Sequence, residues 1–584
     1  MKAWRLNEVS ESAVRAVAGQ TGVPGPVAEA LVRRGLTEGP ALDRFLNPRL
    51  RTLSDPFELP GMAEAVDRIW AALERDEPVG IFGDYNVDGI TSAVLLVEVL
   101  SALGSRATPY IPNRTEEGYG LTAAGLEQCL ARTKPRLLIT VDCGTNAAEA
   151  VDTAVAGGVD VVVTDHHEPS SEKRAAPCAL VNPKLGDDPD ARQLAGVGVA
   201  FKLCHALVKA GRAKGNAAAE RIDLREYLDL VAVGTISDIV PLRGENRILA
   251  RHGLARLGDT RRCGLRALMD VAGVQKPVTA YHVGFGIGPR LNAAGRMSDA
   301  GAALELLLTT HVERAQKLSM ALDAANRERQ ATETRILNEA VSLIDRDFDP
   351  ARHFAVTVGE HGWHRGVIGI VASRLVSRYR RPVAVIALEE DGVGHGSCRG
   401  IEAFSLIQAL EQCAELLERF GGHELAAGLE VQESKLEALR ERLNAVASES
   451  LAGRDLREIE RIDAWVPLAE ADERLYDAVE LLRPFGKDNP TPVWASHDVQ
   501  VLGTPRVVGS NHLKLTFGAQ GMRMDAIGFG MGRREIPDGP IDVAFQLQKN
   551  TFRGVESLEM KLRDFRAAEG EGGEGGSRKS EVGS

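Results

Sequence analysis

The stretch "RLLITVDCGTNAAEAVDTAVAGGVDVVVTDHH", Arg136–His167, decides the fold. It opens with an apolar run of strand length that stops at Asp142, and it closes with a second such run that stops at Asp165. Between them "NAAEAVDTAVAGG" carries helical spacing. Continuously apolar strands separated by a helix predict parallel strands buried on both faces of a sheet. The same grammar runs upstream: "GMAEAVDRIWAALERD" reads as a helix, "PVGIFG" as a strand, "ITSAVLLVEVLSALG" as a helix and "RATPYIPN" as a strand. Ligands of open α/β sheets bind beyond the carboxyl ends of the strands, and the acidic and histidine residues sit at those ends.

The outline of the chain follows. At 584 residues it is too long for one core. Residues 1–60 read as a helical lead-in, 61–310 as the first α/β lobe, mainly helical after 200, and 311–348 as a long polar linker helix. Residues 349–455 read as a second α/β lobe, 456–566 as a five-stranded β-barrel of OB type, and 567–584 as a disordered Gly/Glu/Ser tail. The segments "VGTISDIVPL" and "GFGIGPRLNAAGRM" read as loops. The fold class is therefore α/β, with two lobes joined by a helix and a barrel appended.

Composition is that of an ordinary globular protein, with 44% hydrophobic and 26% charged residues. No apolar run reaches the roughly 18 residues of a membrane span. The start "MKAWRLNEVS" lacks a signal-peptide layout. Seven scattered cysteines with no CxxC pair support neither a disulfide framework nor a zinc ribbon, so a reducing cytoplasm is expected. A net charge of −12 argues against general affinity for nucleic acid but leaves room for a local basic channel.

Asp84 and Asp88 in "IFGDYNVDGITS", Asp142 in "VDCGT", Asp165, His166 and His167 in "TDHHEP", and Asp238 in "TISDIVP" form a set of like chemistry. One strand-end Asp alone is more often a cap or turn residue. Several such sites together point to divalent cations, because carboxylates with one or two imidazoles suit a pair of Mn²⁺ or Mg²⁺ ions. Two ions about 4 Å apart activate water and stabilise the leaving oxygen in phosphoryl transfer.

"GDYNVDGITS", "VDCG", "TDHHEP", "VNPK" and "GTISDIVPL", in this order, resemble the motifs of the DHH phosphoesterase superfamily. "IPNRTEEGYGL", "GPRLNAAGRM", "WHRGVIGIVASRL", "GSCRGIEAF", "RFGGHELAAGL" and "LLRPFGKDNPTPVW" narrow the resemblance to its RecJ branch, over residues 50–565. It implies a metal-dependent 5′→3′ exonuclease for single-stranded DNA, acting in repair and recombination, with a helicase and a single-strand-binding protein as partners. Asp84, Asp88, Asp142, His166 and Asp238 are implied as metal ligands or their supports, and His167 as a contact to the scissile phosphate. Arg114 is implied at the 5′-phosphate, with Tyr119 as a base-stacking ring or a buried loop residue. Arg290, Asn292 and Arg296, with Ser397, Arg399, Gly421, Gly422 and His423 of the second lobe, are implied along the DNA backbone. The barrel, with Lys514, would extend the single-strand path, and Phe517, Phe545 and Phe552 read as core.

The sequence departs from the family pattern at Asn86, where an Asp ligand is usual. An amide oxygen still reaches a cation but brings no full charge. Three readings stand: a change introduced to trap substrate, a natural variant active with Mn²⁺, or a degenerate site. Two rival functions follow, a non-catalytic scaffold binding single strands and a DHH hydrolase of short oligonucleotides. The barrel and the RecJ-type motifs speak against the second.

Overall fold

The computed structural model describes residues 2–113, 117–118, 120–170, 174–297, 300–519, 521–552 and 554–568, without the side chains at 296, 297, 551, 552 and 555. Arg114, Tyr119 and the tail from 569 onward therefore lie outside the described residues. The chain divides into two compact units, one of residues 48–456 with 484–489, the other of residues 1–47, 457–483 and 490–584.

In the larger unit, strands β1 (Val79–Gly83), β2 (Ala107–Tyr110), β3 (Leu137–Val141), β4 (Asp160–Thr164) and β5 (Ala179–Val181) form a sheet of order 2-1-3-4-5, parallel throughout. Alternate residues serve two cores: Leu137, Ile139 and Val141 pack on one face, while Leu138, Val161 and Val163 pack on the other. Helices α1 (Val87–Ala102), α2 (Gly196–Ala213) and α3 (Leu228–Ser237) cover the first face. Strand order reverses between β1 and β3, which opens a crevice at their carboxyl ends.

The segment expected as the loop "GFGIGPRLNAAGRM" is helical instead. His282–Ile287 forms a π-helical turn that runs directly into α4 (Gly288–Met297). Its glycines and Pro289 mimic a loop signature, but the proline sits where the hydrogen-bond ladder changes register and an N–H is dispensable. Gly288 is there for closeness, since a Cβ would stand 2.7 Å from Ser237 Oγ. "VGTISDIVPL" is likewise half helix, because α3 runs to Ser237 and only Asp238 onward leaves it.

Helix α5 (Val312–Ile344) joins the lobes and buries a stripe that includes Leu318, Leu322, Asn326, Arg329, Glu333, Ile336 and Ala340. Its polar members are braced: Glu333 pairs with Arg329 at 2.7 Å and with Arg374 of helix α6 (Arg365–Tyr379) at 2.5 Å. Arg378, one turn further along α6, pairs with Asp345 at the end of the linker helix. The second lobe is a sheet of β6 (Val356–His361), β7 (Val383–Leu388), β8 (Val393–Arg399), β9 (Arg419–Gly422) and β10 (Ala426–Gln432), in order 9-10-8-7-6, with only β6 and β7 parallel.

In the smaller unit, β11 (Trp494–Val501), β12 (His512–Ala519), β13 (Met522–Gly528), β14 (Ile541–Phe552) and β15 (Val555–Ala567) run 11-14-15-13-12, and β12 returns to β11 at Val501↔Phe517. That pairing closes a five-stranded barrel, with irregular register in the β11–β14 and β14–β15 pairs where the strands bend. Phe517 and Phe545 are fully buried in it, as core residues. Lys514 is held by Glu559 at 2.5 Å. Residues 3–5 add a strand parallel to 459–461, so the start of the chain belongs with this unit.

Replacing Glu333 by Ala strands the mostly buried Arg329 without its acid, which should cost about 3 kcal/mol of stability. Arg374→Ala removes only a half-exposed partner and should cost less than about 1 kcal/mol. Thermal unfolding of the two variants side by side checks this; equal losses would contradict the brace.

Candidate metal centre

Three strand ends set the site. The N–H of Asp84 donates to Val141 O, that of Asp142 to Thr164 O and that of Asp165 to Val181 O, so each acid is pinned to the neighbouring strand. Asp142 takes a positive φ of 60°, a conformation Asp tolerates better than most residues. Gly196 lies against it; a Cβ there would fall 2.7 Å from Asp142 Oδ1. Asp88, in the first turn of α1, accepts from the N–H groups of Gly196 (2.7 Å) and Val197 (2.8 Å). Its carboxylate thus sits on the positive end of α2.

Asp165 faces the other way. Its Oδ1 accepts from the N–H of His166 (2.7 Å) and contacts His167 Nδ1 (2.7 Å), while Oδ2 accepts from the N–H of Thr145 (2.9 Å). Asn182 completes this support by donating to Thr145 Oγ1 and to the carbonyl of His167. Asp165 is therefore a positioning residue for both imidazoles. The motif draws attention to it, but only the geometry separates it from the acids that face the centre.

His166 Nε2 lies 3.0 Å from Asp142 Oδ1, 3.6 Å from Asp238 Oδ2 and 4.0 Å from Asp88 Oδ2. Ligand atoms of Asp88, His166 and Asp238 lie within 4.8 Å of one another, as do those of Asp142, His166 and His167. Among the described residues, His166 Nε2, Asp142 Oδ1 and Asp84 Oδ1 are buried and make no hydrogen bond, the first two facing each other at 3.0 Å. Such orphaned atoms are costly unless something pairs with them, and a lone imidazole nitrogen among carboxylate oxygens is the donor set of a divalent cation.

Electrostatics agree. Burial pushes the carboxyl of Asp84 up to about 6 and that of Asp238 up to about 8. Burial, then the charge of Asp88, raises Asp142 well above the usual range; burial raises Asp88 too. His167 is raised as well, against burial: burial alone would lower it, but the bond to Asp165 carries it to about 9, which favours the cation at neutral pH.

Asn86 caps α1, its Oδ1 accepting from the N–H of Gly89 at 2.9 Å. Its Nδ2 donates to Asp84 Oδ2 (2.8 Å) and to Asp142 Oδ2 (2.9 Å). As oriented, it presents a donor to the acids and keeps its oxygen for the helix.

Sequence profiles for three domains match the chain: "DHH family, N-terminal domain" over residues 78–235, "DHHA1 domain" over 352–449 and "RecJ OB domain" over 462–564. The single-stranded-DNA-specific exonuclease RecJ of Bacillus subtilis is 35% identical over 97% of this chain and 71% of its own length. The chain belongs to the RecJ family. The Escherichia coli RecJ is 36% identical, over 90% of this chain and 93% of its own. A crystal structure of Thermus thermophilus RecJ in complex with Mn²⁺ superposes with a TM-score of 0.83 at 31% identity, covering 97% of this chain and 80% of that one.

The other residues implied by RecJ resemblance fall in two places. Asn292 of α4 accepts from the N–H of Val87, beside Asn86. Arg290 is drawn inward instead, to Asp323 at 2.9 Å and the carbonyl of Gly286 at 2.7 Å, and braces α4 on the linker helix. Arg296 lies on the same helix with its side chain outside the described residues. In the second lobe, Gly421 pairs with Gly428 and Gly428 with Ser397, so the two expected motifs share one row across β9, β10 and β8. Gly421, Gly422 and His423 are exposed there. Among the described residues no acid pairs with Arg399; its guanidinium donates to Ser397 Oγ and the carbonyl of Cys398. Burial lowers its pKa, the signature of a cation short of a counter-charge.

Because Asp238 and Asp84 carry raised values of about 8 and about 6, a divalent cation displaces protons when it binds. Mn²⁺ affinity should therefore tighten as pH rises from 6 to 8, with proton release seen by calorimetry in buffers of different ionisation enthalpy. Binding that ignores pH would contradict the site.

Proposed function

We propose that this chain is a metal-dependent exonuclease specific for single-stranded DNA, entering at the 5′ end and releasing nucleoside 5′-monophosphates in DNA repair and recombination. The observation that carries the reading is the cluster of buried ligand atoms on Asp84, Asp142 and His166 that make no hydrogen bond among the described residues, in a chain similar to RecJ exonucleases over nearly its whole length. The Mn²⁺-bound and Mg²⁺-bound structures of the Thermus relative support the same metals here.

Asp84, Asp88, Asp142, His166 and Asp238 would hold two ions, which when bound polarise phosphoryl oxygens and lower the pKa of the attacking water. The protein supplies position and charge. Asp88 is fixed by two backbone N–H groups, and the N–H of Asp142 is held by β4. His167, cationic through Asp165, is suited to grip an oxygen of the scissile phosphate. Arg399 with Ser397, and the exposed end of β9 at Gly421, Gly422 and His423, suit backbone phosphates further along the strand. Arg114 and Tyr119 are assigned to the 5′ end on family resemblance. A helicase and a single-strand-binding protein would deliver the strand.

The test is Mn²⁺-dependent digestion of 5′-phosphorylated single-stranded DNA, with matched duplex as control. Mononucleotides should appear from the single strand alone, and Asn86→Asp should release them faster. Asp165→Asn should slow release by about 10- to 100-fold, the scale for a group that orients a metal ligand. Single-strand binding without cleavage by either version would favour the scaffold reading.

A further inference from the structure

Asp142 faces two ways. Its Oδ1 lies 3.0 Å from His166 Nε2, beside Asp88 and Asp238, and makes no hydrogen bond among the described residues. Its Oδ2 accepts from the Asn86 amide, which donates to Asp84 Oδ2 as well. The first side offers three carboxylates and an imidazole, with both Asp88 oxygens accepting from α2. The second offers Asp84 Oδ1 together with two carboxylate oxygens that share one amide nitrogen.

The amide nitrogen stands 2.8 Å from Asp84 Oδ2 and 2.9 Å from Asp142 Oδ2, in the place an ion shared by those two oxygens would need. A second ion held by both must therefore displace it. Turning the amide over would present its oxygen instead, but would aim an NH₂ at the N–H of Gly89 and cost α1 its cap. Either route gives up hydrogen bonds to ionised groups.

Resting on the metal-centre reading above, we infer that Asn86 is a lock on one of two metal positions. The His166 side loads first, as an isolated ion. The Asp84 side loads only after the amide is displaced, with affinity lower by about 10²-fold or more. An isosteric Asp at this position keeps one oxygen for Gly89 and turns the other, now charged, to the centre. Ser keeps a cap but removes the paired amide donors without adding charge.

The experiment is a Mn²⁺ titration of chelator-stripped protein followed by electron paramagnetic resonance, which counts free ions and separates isolated bound ions from spin-coupled pairs. The unsubstituted chain should take up one ion tightly, with an isolated-ion spectrum, and show coupling only in large excess. Asn86→Asp should bind two ions with coupling near two equivalents, and Asn86→Ser should fall between. Two ions of matching affinity in the unsubstituted chain would overturn the lock. So would an Asn86→Ser variant no better than Asn86, since missing charge would then be the whole effect. Failure of all three versions to bind Mn²⁺ would instead sink the metal-centre reading itself.

Discussion

The constraint on which this structure turns is the mutual repulsion of Asp84, Asp88, Asp142 and Asp238, gathered in one largely buried site with three of them around the His166 imidazole. Burial alone makes each of them harder to ionise, and the charges of neighbouring acids add to this for Asp142 and Asp238. A fold tolerates such a concentration only if the backbone holds it and something positive answers it. Here the holding is visible: the N–H groups of Asp84 and Asp142 tie their backbones to neighbouring strands, and the α2 terminus and the amide of Asn86 point at carboxylates. The sheet order supplies the crevice, and the close approach of Gly196 brings the helix terminus within reach.

Against that background the two histidines of one motif do opposite work. His166 leaves a bare nitrogen among the acids; His167 is turned by Asp165 into a cation facing outward. The division suits phosphodiester hydrolysis, in which one group completes a cation site and the other meets the anion acted upon. The second lobe repeats the outward chemistry with Arg399, a partly buried guanidinium whose hydrogen-bond partners among the described residues are neutral.

Much of this was legible in the sequence. Apolar runs ending in carboxylates announced the parallel sheet, and five short alternating strands announced the barrel. What escaped depended on contacts distant in the chain. Gly288 and Pro289 read as loop residues because their reasons, Ser237 and a shifted helical register, lie elsewhere. The pairing of Arg290 with Asp323, far along the linker helix, had no local signal either. The lead-in gave no hint that residues 3–5 pair with 459–461. Asn86 stood out as a missing carboxylate, but its use as a donor needed Gly89 on one side and Asp142 on the other.

The central claim is that the acids around His166 form a divalent-cation centre. Anomalous diffraction at the manganese edge, from crystals of the unsubstituted chain grown with Mn²⁺, addresses it most directly. The account predicts a strong peak bordered by Asp88, Asp142, His166 and Asp238. A crystal with Mn²⁺ bound elsewhere and none beside His166 would contradict it.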